Sequence, residues 1–476
     1  MTVPLNQLAA SHLEKIRVFF DADPGPTAAA LSYRRRLAHY LRLMIPAGSR
    51  VLEIGCGAGH LLAELRGCEI TGVDVSPSQV ERARSRLPGG EFLVQAGEQL
   101  HLPGRTFDVV ILSDTINYAA DAQAMLERIL SVSTPDTRLV LNFQSNLWRP
   151  LLRLSRWTGL SRPTPESNWF STDDVCNLLN LAGWETVRHD HRLLIPVGLW
   201  GMERAINRGL APLLPWLCLT DFIVARPRAS ACRPGVSAKS VSVVIPARNE
   251  AGNIEAAVLR TPDMGAWTEL IFVEGHSRDD TWAEIQRVKA AYPSRRIKAL
   301  RQTGRGKGNA VREGFAAAEG DILVILDADL TMPPEELPKF YAVLADNRAE
   351  FANGVRLVYP MEERAMQFLN LCANKFFGLL FTWLLGQALK DTLCGTKVLS
   401  RANYDKIAAN RAYFGDFDPF GDFDLLFGAG RMNLKMADVP IRYRERTYGV
   451  TNIQRWRHGW LLLRMVAFAA RKLKFV

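Results

Sequence analysis

Acidic side chains directly follow apolar, β-branched runs in the second half of the chain. Asp327 and Asp329 come after the run at residues 323–326, and Glu274 follows the run at residues 270–273. The carboxyl ends of parallel strands meet at one edge of a sheet, where such sheets bind ligands. Two neighbouring carboxylates need a cation nearby, and Mg²⁺ or Mn²⁺ bridging a diphosphate would supply one and stabilise the leaving group. The spacing therefore predicts a site for a divalent metal and a diphosphate.

A basic, glycine-rich segment precedes the two aspartates. Residues 304–309 read Gly-Arg-Gly-Lys-Gly-Asn and carry the cations Arg305 and Lys307. Glycines let the backbone approach a phosphate or close over it, and the two cations complement its charge. We expect this segment to contact the same phosphorylated ligand as the aspartates.

A second glycine pattern lies in the first half of the chain. Gly55, Gly57 and Gly59 follow an apolar strand run and precede a helical pattern. Glycine lets the backbone approach a ligand closely at a strand-to-helix turn. Asp74 ends the next predicted strand, where a carboxylate can accept hydrogen bonds from ribose hydroxyls. A dinucleotide fingerprint requires its third glycine at position 60, where His60 stands, so the pattern argues against a dehydrogenase.

Residues from about 50 to 140 resemble class I S-adenosylmethionine-dependent methyltransferases. This resemblance implies that Glu53 and the three glycines form the loop around S-adenosyl-L-methionine and that Asp74 binds its ribose. Ala96 stands where the family often has an aspartate for the adenine amino group, which leaves Gly97 and Glu98 as alternatives. Candidates for a base that would act on the methyl acceptor, in no order, are Asp114, Asn117, Tyr118 and His189.

Residues 241 to about 457 resemble family 2 inverting glycosyltransferases of the GT-A fold, and in particular the polyprenyl-phosphate (dolichol-phosphate) sugar transferases. Several motifs occur in order, at residues 246–250, 274–281, 304–309, 327–329 and 391–397. The resemblance implies that the nucleotide sugar is bound by Pro246, Glu250, Glu274, Lys307 and Asp327. It also implies that Asp329 holds the metal and that Asp327 and Asp329 are catalytic.

The acceptor of the sugar decides whether a base is needed. A hydroxyl must lose a proton, whereas a lipid phosphate is already ionised. Asp424 lies about where the family often has a late acidic residue, with Asp422 as the competing choice, and both catalysis and capping of a helix are open for Asp424. Arg356 and Arg364 are candidates for binding an acceptor phosphate. A small molecule and a polyprenyl phosphate remain the alternative acceptors.

Both halves show the same α/β sequence pattern, in which a short apolar run is followed by a polar turn and then by a helix. This pattern predicts two domains. We expect a Rossmann-like methyltransferase sheet followed by a GT-A-type, nucleotide-sugar-binding α/β domain. Residues 226–237 are rich in Pro, Gly, Ser and Arg, as linkers are. The predicted organisation is a methyltransferase domain at 1–228, a linker at 229–240 and a glycosyltransferase domain at 241–476 that ends in a basic amphipathic tail.

The formal net charge of +10 suits anionic partners, from nucleic acid to nucleotide sugars and lipid phosphates. One alternative function is a basic RNA-binding methyltransferase with a non-catalytic second domain. The positive charge is dispersed, however, and no aromatic–basic binding module is recognisable, so we expect no nucleic-acid partner. The retention of Asp327, Asp329 and Lys307 favours a catalytic second domain.

Cysteine spacing and the first residues bear on localisation. The seven cysteines show no metal-ligand spacing, which favours a reducing compartment. Charged side chains interrupt residues 1–20 where a signal peptide requires an apolar run. We therefore expect a cytoplasmic protein. Two interpretations of the basic, apolar tail from Trp460 onwards are open. The tail docks on the cytoplasmic face of a membrane, or it packs on the catalytic domain.

Overall fold

The computed structural model describes residues 7–23, 25–158, 164–165, 167–168, 170–196, 198, 201–228, 238–357, 368–411, 422–444, 448 and 455–476. The chain forms two compact units. One comprises Met1–Arg233 together with Lys474–Val476, and the other comprises Pro234–Leu473. Each unit is built on a seven-stranded sheet flanked by helices. The predicted α/β class is thereby confirmed, and the exact domain limits stay a prediction.

The sheet of the first unit has the strand order β3-β2-β1-β4-β5-β7-β6. Its strands are β1 (Arg50–Ile54), β2 (Glu69–Asp74), β3 (Glu91–Val94), β4 (Phe107–Ser113), β5 (Ser133–Gln144), β6 (Trp184–Arg192) and β7 (Thr220–Pro227). The first five strands are parallel to one another, and β7 runs antiparallel between β5 and β6. The carboxyl ends of β1, β2, β4 and β5 therefore share one edge with the start of β7, where Gln144 pairs with Thr220.

Both faces of this sheet are covered by helices. These are α1 (Gln7–Asp21), α2 (Ala28–Met44), α3 (Pro77–Arg86), α4 (Ala122–Ile129), α5 (Arg149–Trp157), α6 (Thr172–Leu181) and α7 (Met202–Gly209). On β1, Leu52 and Ile54 pack in one core cluster with residues of α4 and α6, whereas Val51 packs with residues of α2 and α3 on the other face. Strands that are buried on both faces have nearly continuous apolar sequences, which explains the apolar run of β1.

The sheet of the second unit has the order β10-β9-β8-β11-β13-β12-β14. Its strands are β8 (Val241–Ala247), β9 (Thr268–Glu274), β10 (Arg296–Arg301), β11 (Ile322–Ile325), β12 (Phe351–Val355), β13 (Lys397–Ser400) and β14 (Met436–Pro440). β13 is antiparallel to both β11 and β12, and the other pairs are parallel. The strands that carry the predicted acids, β8, β9 and β11, consequently end at one edge.

The helices of the second unit are α8 (Ile254–Arg260), α9 (Thr281–Ala291), α10 (Lys307–Ala317), α11 (Leu337–Ala345), α12 (Phe368–Leu385), α13 (Arg401–Ala409), α14 (Asp422–Arg431) and α15 (Arg455–Leu473). Apolar residues of β8, β9 and β11 form a core cluster with residues of α8, α9 and α11. Helices α12 and α15 pack against each other. Among the described residues, none of the helices is both long enough and apolar enough to span a bilayer.

The last strand of the first unit is longer than its composition suggests. Arg226 and Pro227 belong to the linker-like stretch by sequence, but both lie in β7. The Arg226 side chain is fully buried, and its Nε donates to Glu185 Oε1 at 2.5 Å. A buried cation without such a partner would be strongly unfavourable, so this ion pair links β6 and β7. Residues 229–237 lie outside the described part of the chain.

Candidate active sites

The glycine loop of the first unit lies between β1 and β2. Gly55, Gly57 and Gly59 have φ of +74°, +50° and +70°, a region in which side chains are strained. A Cβ on Gly55 would lie 2.6 Å from Thr115 Oγ1. A Cβ on Gly57 would meet nothing within 4 Å, so this part of the loop backbone faces open space. The loop therefore has room for a ligand against its backbone.

Asp74, at the end of β2, is buried and fixed by the same loop. Its Oδ2 accepts a hydrogen bond from Gly57 N at 2.8 Å, and its Oδ1 accepts one from Ser76 N at 2.9 Å. Burial raises the pKa of Asp74, and the two N–H donors oppose that shift. Each carboxylate oxygen retains capacity for another donor. Asp74 can thus hold the loop and still accept hydrogen bonds from a ligand.

Glu53, on β1 beside the loop, has a carboxyl oxygen without a hydrogen-bond partner among the described residues. Its side chain is buried, and this oxygen is Oε2. Burial raises the pKa of Glu53 well above its ordinary value. A buried acceptor without a donor is unfavourable, and a ligand that carries N–H or O–H groups would remove the penalty. S-adenosyl-L-methionine, with its ammonium and ribose hydroxyls, is a ligand of this kind.

Glu98 lies in a one-turn helix, Gly97–Gln99, that follows β3. Its side chain is buried, and Oε1 accepts hydrogen bonds from Ala120 N at 2.8 Å and from Asp121 N at 3.4 Å. These bonds fix the loop before α4. Its contact with a cofactor stays a prediction.

Of the four candidates for a base, Asp114 has the environment that suits the task best. It follows β4 in a left-handed conformation with φ +56°, and its Oδ1 lies 3.0 Å from Asn142 Nδ2 and 3.4 Å from Tyr33 Oη. Burial raises the pKa of Asp114 to about 6. Asn117 Nδ2 donates to Asn168 O at 3.0 Å, and His189 is exposed on β6. The partners Tyr33 and Asn142 could not be foreseen, because each is far from Asp114 in sequence.

In the second unit, Asp327 and Lys307 meet at the sheet edge. Lys307 begins α10 and its Nζ lies 2.7 Å from Asp327 Oδ1, just after β11. Burial raises the pKa of Asp327, but the Lys307 ammonium outweighs this and leaves the pKa below its ordinary value. A Cβ on Gly395 would overlap Asp327 Oδ2 and lie 2.6 Å from Lys307 Nζ. The acid, the cation and the 391–397 motif are therefore in contact.

Asp329 is held by the residue two positions later. Its Oδ1 accepts hydrogen bonds from Thr331 N at 3.1 Å and from Thr331 Oγ1 at 2.9 Å. Among the described residues, no group of three or more His, Cys, Asp or Glu side chains is arranged to hold a metal. Mg²⁺ is usually bound by one or two carboxylates together with substrate phosphates and water, so the Asp327–Asp329 pair fits a metal that arrives with a diphosphate.

The other predicted nucleotide-sugar residues lie at the ends of β8 and β9. Pro246 is in β8, and Glu250 follows it with Oε2 accepting from Asn253 Nδ2 at 2.7 Å. Glu274 ends β9, and its Oε1 accepts from Ser277 N at 2.5 Å. Both glutamates are buried. The sheet brings the predicted residues of the second unit to one edge, and their contacts with a nucleotide sugar stay a prediction.

The 391–397 motif holds a buried ion pair that spacing could not reveal. Arg356 Nε and Nη2 lie 2.8 and 2.9 Å from the two carboxylate oxygens of Asp391, which is fully buried. The guanidinium also lies 5.1 Å from the centre of the Tyr443 ring. Burial opposes the charge of Asp391, yet Arg356 keeps the pKa of this carboxyl below its ordinary value. The other candidate for an acceptor phosphate, Arg364, lies outside the described residues.

Asp424 is in the first turn of α14. Its Oδ2 accepts a hydrogen bond from Arg411 Nε at 2.7 Å, and its side chain is 9% exposed. Catalysis by Asp424 stays a prediction.

Comparison with known proteins gives two family matches. Residues 29–189 match the family model described as a methyltransferase domain, and residues 242–407 match the model of glycosyl transferase family 2. The first match contains the glycine loop, Asp74 and Asp114. The second contains Glu250, Lys307, Asp327 and Asp391, whereas Asp424 lies beyond its end.

Curated relatives align with the second half of the chain. The dolichol-phosphate mannosyltransferase of Pyrococcus furiosus is 38% identical over 121 residues, which are 25% of this chain and 33% of the relative. The undecaprenyl-phosphate 4-deoxy-4-formamido-L-arabinose transferase of Klebsiella pneumoniae is 27% identical over 215 residues, which are 44% of this chain and 62% of the relative. In both cases the match covers less than two thirds of the relative's own length.

Solved structures also superpose on the chain. Glucosyl-3-phosphoglycerate synthase from Mycobacterium tuberculosis has 22% identity and a TM-score of 0.36, with 51% of this chain and 85% of that chain covered. Magnesium protoporphyrin IX methyltransferase from Synechocystis has 16% identity and a TM-score of 0.31, with 48% and 100% covered. Similarities this low have no bearing on the chemistry. On the family matches, the chain contains a methyltransferase domain followed by a domain of glycosyl transferase family 2.

Proposed function

We propose that the chain is a bifunctional transferase that transfers a methyl group from S-adenosyl-L-methionine and a sugar from a nucleotide sugar. The observation that carries the proposal is that, in each matched domain, the predicted residues that follow the parallel strands lie at the carboxyl edge of the sheet, where Lys307 and Asp327 form an ion pair in the second domain. The proposed boundaries are 1–228 and 241–476, joined by a linker at 229–240.

The methyltransferase half of the proposal rests on Glu53, Asp74 and the glycine loop. The open backbone at Gly57 would give room for the cofactor, and Glu53 Oε2, which has no hydrogen-bond partner among the described residues, would form a hydrogen bond with it. Asp74 would receive the ribose hydroxyls beside its two backbone donors. Asp114 is the proposed base, since its pKa of about 6 leaves it ionised yet still basic at neutral pH.

The glycosyltransferase half rests on Asp327, Asp329 and Lys307. Bound Mg²⁺ or Mn²⁺ would stabilise the departing diphosphate as a Lewis acid. Lys307 would complement the phosphate charge, and Thr331 orients the Asp329 carboxylate. Glu250 and Glu274 would meet the nucleoside at the ends of β8 and β9.

A polyprenyl phosphate is the acceptor that agrees best with the site. The named relatives use dolichol phosphate or undecaprenyl phosphate, as their names state. A phosphate oxygen attacks without a base, so the pairing of Asp424 with Arg411 does not impede transfer. A small hydroxyl acceptor is the alternative, and it would require a base.

The helices α12 and α15 support a peripheral position on the cytoplasmic face of a membrane. Phe376 and Leu379 on α12 and Trp460 and Leu463 on α15 are exposed, at 52%, 72%, 66% and 39%. Basic residues of α15, including Arg464, lie beside them. Apolar side chains flanked by cations are typical of helices that lie at an anionic membrane surface.

Product formation in the full chain tests the proposal. Purified protein is incubated with a panel of nucleotide sugars, Mn²⁺ and undecaprenyl phosphate in vesicles, and transfer to lipid is measured by mass spectrometry. We expect transfer that chelation or Asp329→Asn abolishes, while binding of S-adenosylmethionine, measured by calorimetry, is unchanged. Transfer that persists after chelation and in Asp329→Asn would contradict the metal assignment.

A further inference from the structure

The segment that follows β5 exposes a row of apolar side chains. In the described residues 146–158, Leu147, Leu151, Leu154 and Trp157 are 54%, 55%, 52% and 85% exposed. Apart from residue 147, they lie on α5. Helices of soluble domains normally bury such residues against a core, so a short helix with this exposure has an unpartnered apolar face.

A second segment of the same unit has the same character. Between α7 and β7, Leu210, Leu213 and Trp216 are 47%, 59% and 67% exposed, and Met202 at the start of α7 is 60% exposed. No apolar partner covers them within the described residues of the unit. The two segments together form what we call the α5–α7 surface, namely residues 146–158 and 202–217.

Hydrogen bonds join the two segments. Trp148 Nε1 donates to Leu217 O at 2.9 Å, and Ser145 N donates to Leu219 O at 2.7 Å. These contacts continue the pairing of β5 with β7, in which Gln144 lies opposite Thr220. The two segments that carry the exposed apolar residues are therefore neighbours in the first unit.

The charge of this surface is positive. Arg153 on α5 and Arg204 and Arg208 on α7 are exposed. Residues 146–158 contain no acid, and the acid of residues 202–217, Glu203, is buried and paired with Arg36 at 3.3 Å. Arginines interleaved with exposed leucine and tryptophan complement a negatively charged surface that has an apolar interior.

We propose that the α5–α7 surface docks the methyltransferase unit on an anionic lipid bilayer. Tryptophan favours the boundary between headgroups and acyl chains, and arginine favours anionic headgroups. A nucleic acid would match the arginines but not the leucines. A second copy of this chain would match the leucines but would bring the arginines of two copies together.

The position of the surface points to the kind of methyl acceptor. The α5–α7 surface begins directly after β5, whose Asn142 donates to Asp114 at 3.0 Å at the same edge of the sheet as the glycine loop. An acceptor carried by a lipid headgroup would therefore reach the Asp114 edge from the bilayer. This part of the inference rests on the proposed methyl transfer, whereas the docking itself does not.

Vesicle binding by the full chain tests the docking. The triple variant Leu151→Asn, Leu154→Asn, Trp157→Asn removes the exposed apolar side chains of α5, and the double variant Arg153→Glu, Arg204→Glu reverses two charges. Matched controls are Leu181→Asn and Arg66→Glu, because both residues are exposed and lie near the opposite edge of the same sheet. The vesicles are phosphatidylglycerol in phosphatidylcholine at low salt, and binding is measured by co-sedimentation.

We expect at least tenfold weaker vesicle binding in the triple variant, and more than about fivefold weaker binding for each arginine that is replaced by glutamate. The controls should bind as the unaltered chain does. Hydrogen exchange in the unaltered chain should slow in residues 146–158 and 202–217 when vesicles are added. Calorimetric binding of S-adenosylmethionine should be the same in every variant, and it reports on the proposed function separately.

Three results would overturn the docking proposal. One is unaltered vesicle binding in both α5–α7 variants, which would assign any binding to another part of the chain. Another is unchanged hydrogen exchange in the two segments. The third is concentration-dependent dimerisation in sedimentation velocity that the triple variant abolishes, which would assign the surface to a second copy.

Discussion

Lys307 Nζ lies 2.7 Å from Asp327 Oδ1, and both side chains lie directly against Gly395. A residue from the start of α10, one from the end of β11 and one from the motif before β13 thus form a single contact. Because Gly395 has no side chain, the ion pair can occupy the space where a Cβ would stand.

Substitution Gly395→Ala should therefore weaken nucleotide-sugar binding. The added methyl group overlaps Asp327 Oδ2 and crowds Lys307 Nζ, and such overpacking costs about 1–3 kcal/mol, which corresponds to roughly 5- to 160-fold in affinity. Calorimetric titration with a nucleotide sugar and Mn²⁺ measures the change. The control is Gly459→Ala, since a Cβ on Gly459 would meet nothing within 4 Å. Equal affinity in both variants would argue against a ligand at this contact.

Substitution Asp74→Ala should weaken binding of S-adenosylmethionine by about 2–4 kcal/mol, since charge-assisted hydrogen bonds to the ribose are lost. The change also removes the acceptor for Gly57 N and Ser76 N, so folding must be checked by circular dichroism. Asp74→Asn serves as the matched variant, because it keeps the size of the side chain and removes the charge. A folded variant with unchanged affinity would contradict the ribose assignment.

The rate of methyl transfer should depend on pH through Asp114. If the carboxylate is the base, kcat/KM rises about tenfold per unit below pH 6 and levels off above it, because the pKa of Asp114 is about 6. Asp114→Asn should lower the rate and remove this dependence. A flat profile between pH 5 and 8 in the unaltered chain would rule Asp114 out as the base.

The same pKa shift has a consequence for stability with the opposite trend. Burial raises the pKa of Asp114 from 3.8 to about 6, so the folded protein holds this proton more tightly than the unfolded chain does. The stabilising contribution is complete below pH 3.8 and is lost as the pH rises through about 6. Comparison of urea unfolding between the unaltered chain and Asp114→Asn at pH 4.5 and pH 7 measures it.

Substitution Arg356→Ala should destabilise the second unit by about 3–5 kcal/mol, because Asp391 would remain buried without its cation. Arg356→Lys retains the charge but not the two parallel hydrogen bonds, and it should lose less stability than Arg356→Ala. Urea unfolding followed by fluorescence gives both values. A change below about 1 kcal/mol in Arg356→Ala would show that the pair contributes little, and would leave Arg356 available for an acceptor phosphate.

The sequence predicts both sheets and the ends of the strands that carry chemistry, because buried parallel strands have continuous apolar runs and glycines or acids where they end. The α/β class, the order of the two domains and the clustering of Asp327 with Lys307 follow from these signals. Methyltransferase and family 2 glycosyltransferase assignments are confirmed by the family matches. Metal dependence, site roles and membrane association stay predictions.

Contacts between distant residues could not be predicted in this way. Tyr33 and Asn142 meet at Asp114, and Arg356 meets Asp391, only after the sheets have formed. Arg226 looks like part of a linker by composition, yet pairing with Glu185 buries it in β7. Local sequence patterns indicate secondary-structure propensity and hydrophobic periodicity. These residue pairs, in contrast, depend on the order in which the strands lie in the sheet. The α5–α7 surface likewise became visible only from the exposure of its apolar residues.

The central claim is that one chain carries two independent transferase sites, and paired titrations test it most directly. The unaltered chain, Asp74→Ala and Asp329→Asn are each titrated with S-adenosylmethionine and, separately, with a nucleotide sugar in the presence of Mn²⁺. We predict that the unaltered chain binds both ligands, that Asp74→Ala loses only S-adenosylmethionine and that Asp329→Asn loses only the nucleotide sugar. Failure of the folded, unaltered chain to bind either ligand, or loss of both ligands in one variant, would contradict the account.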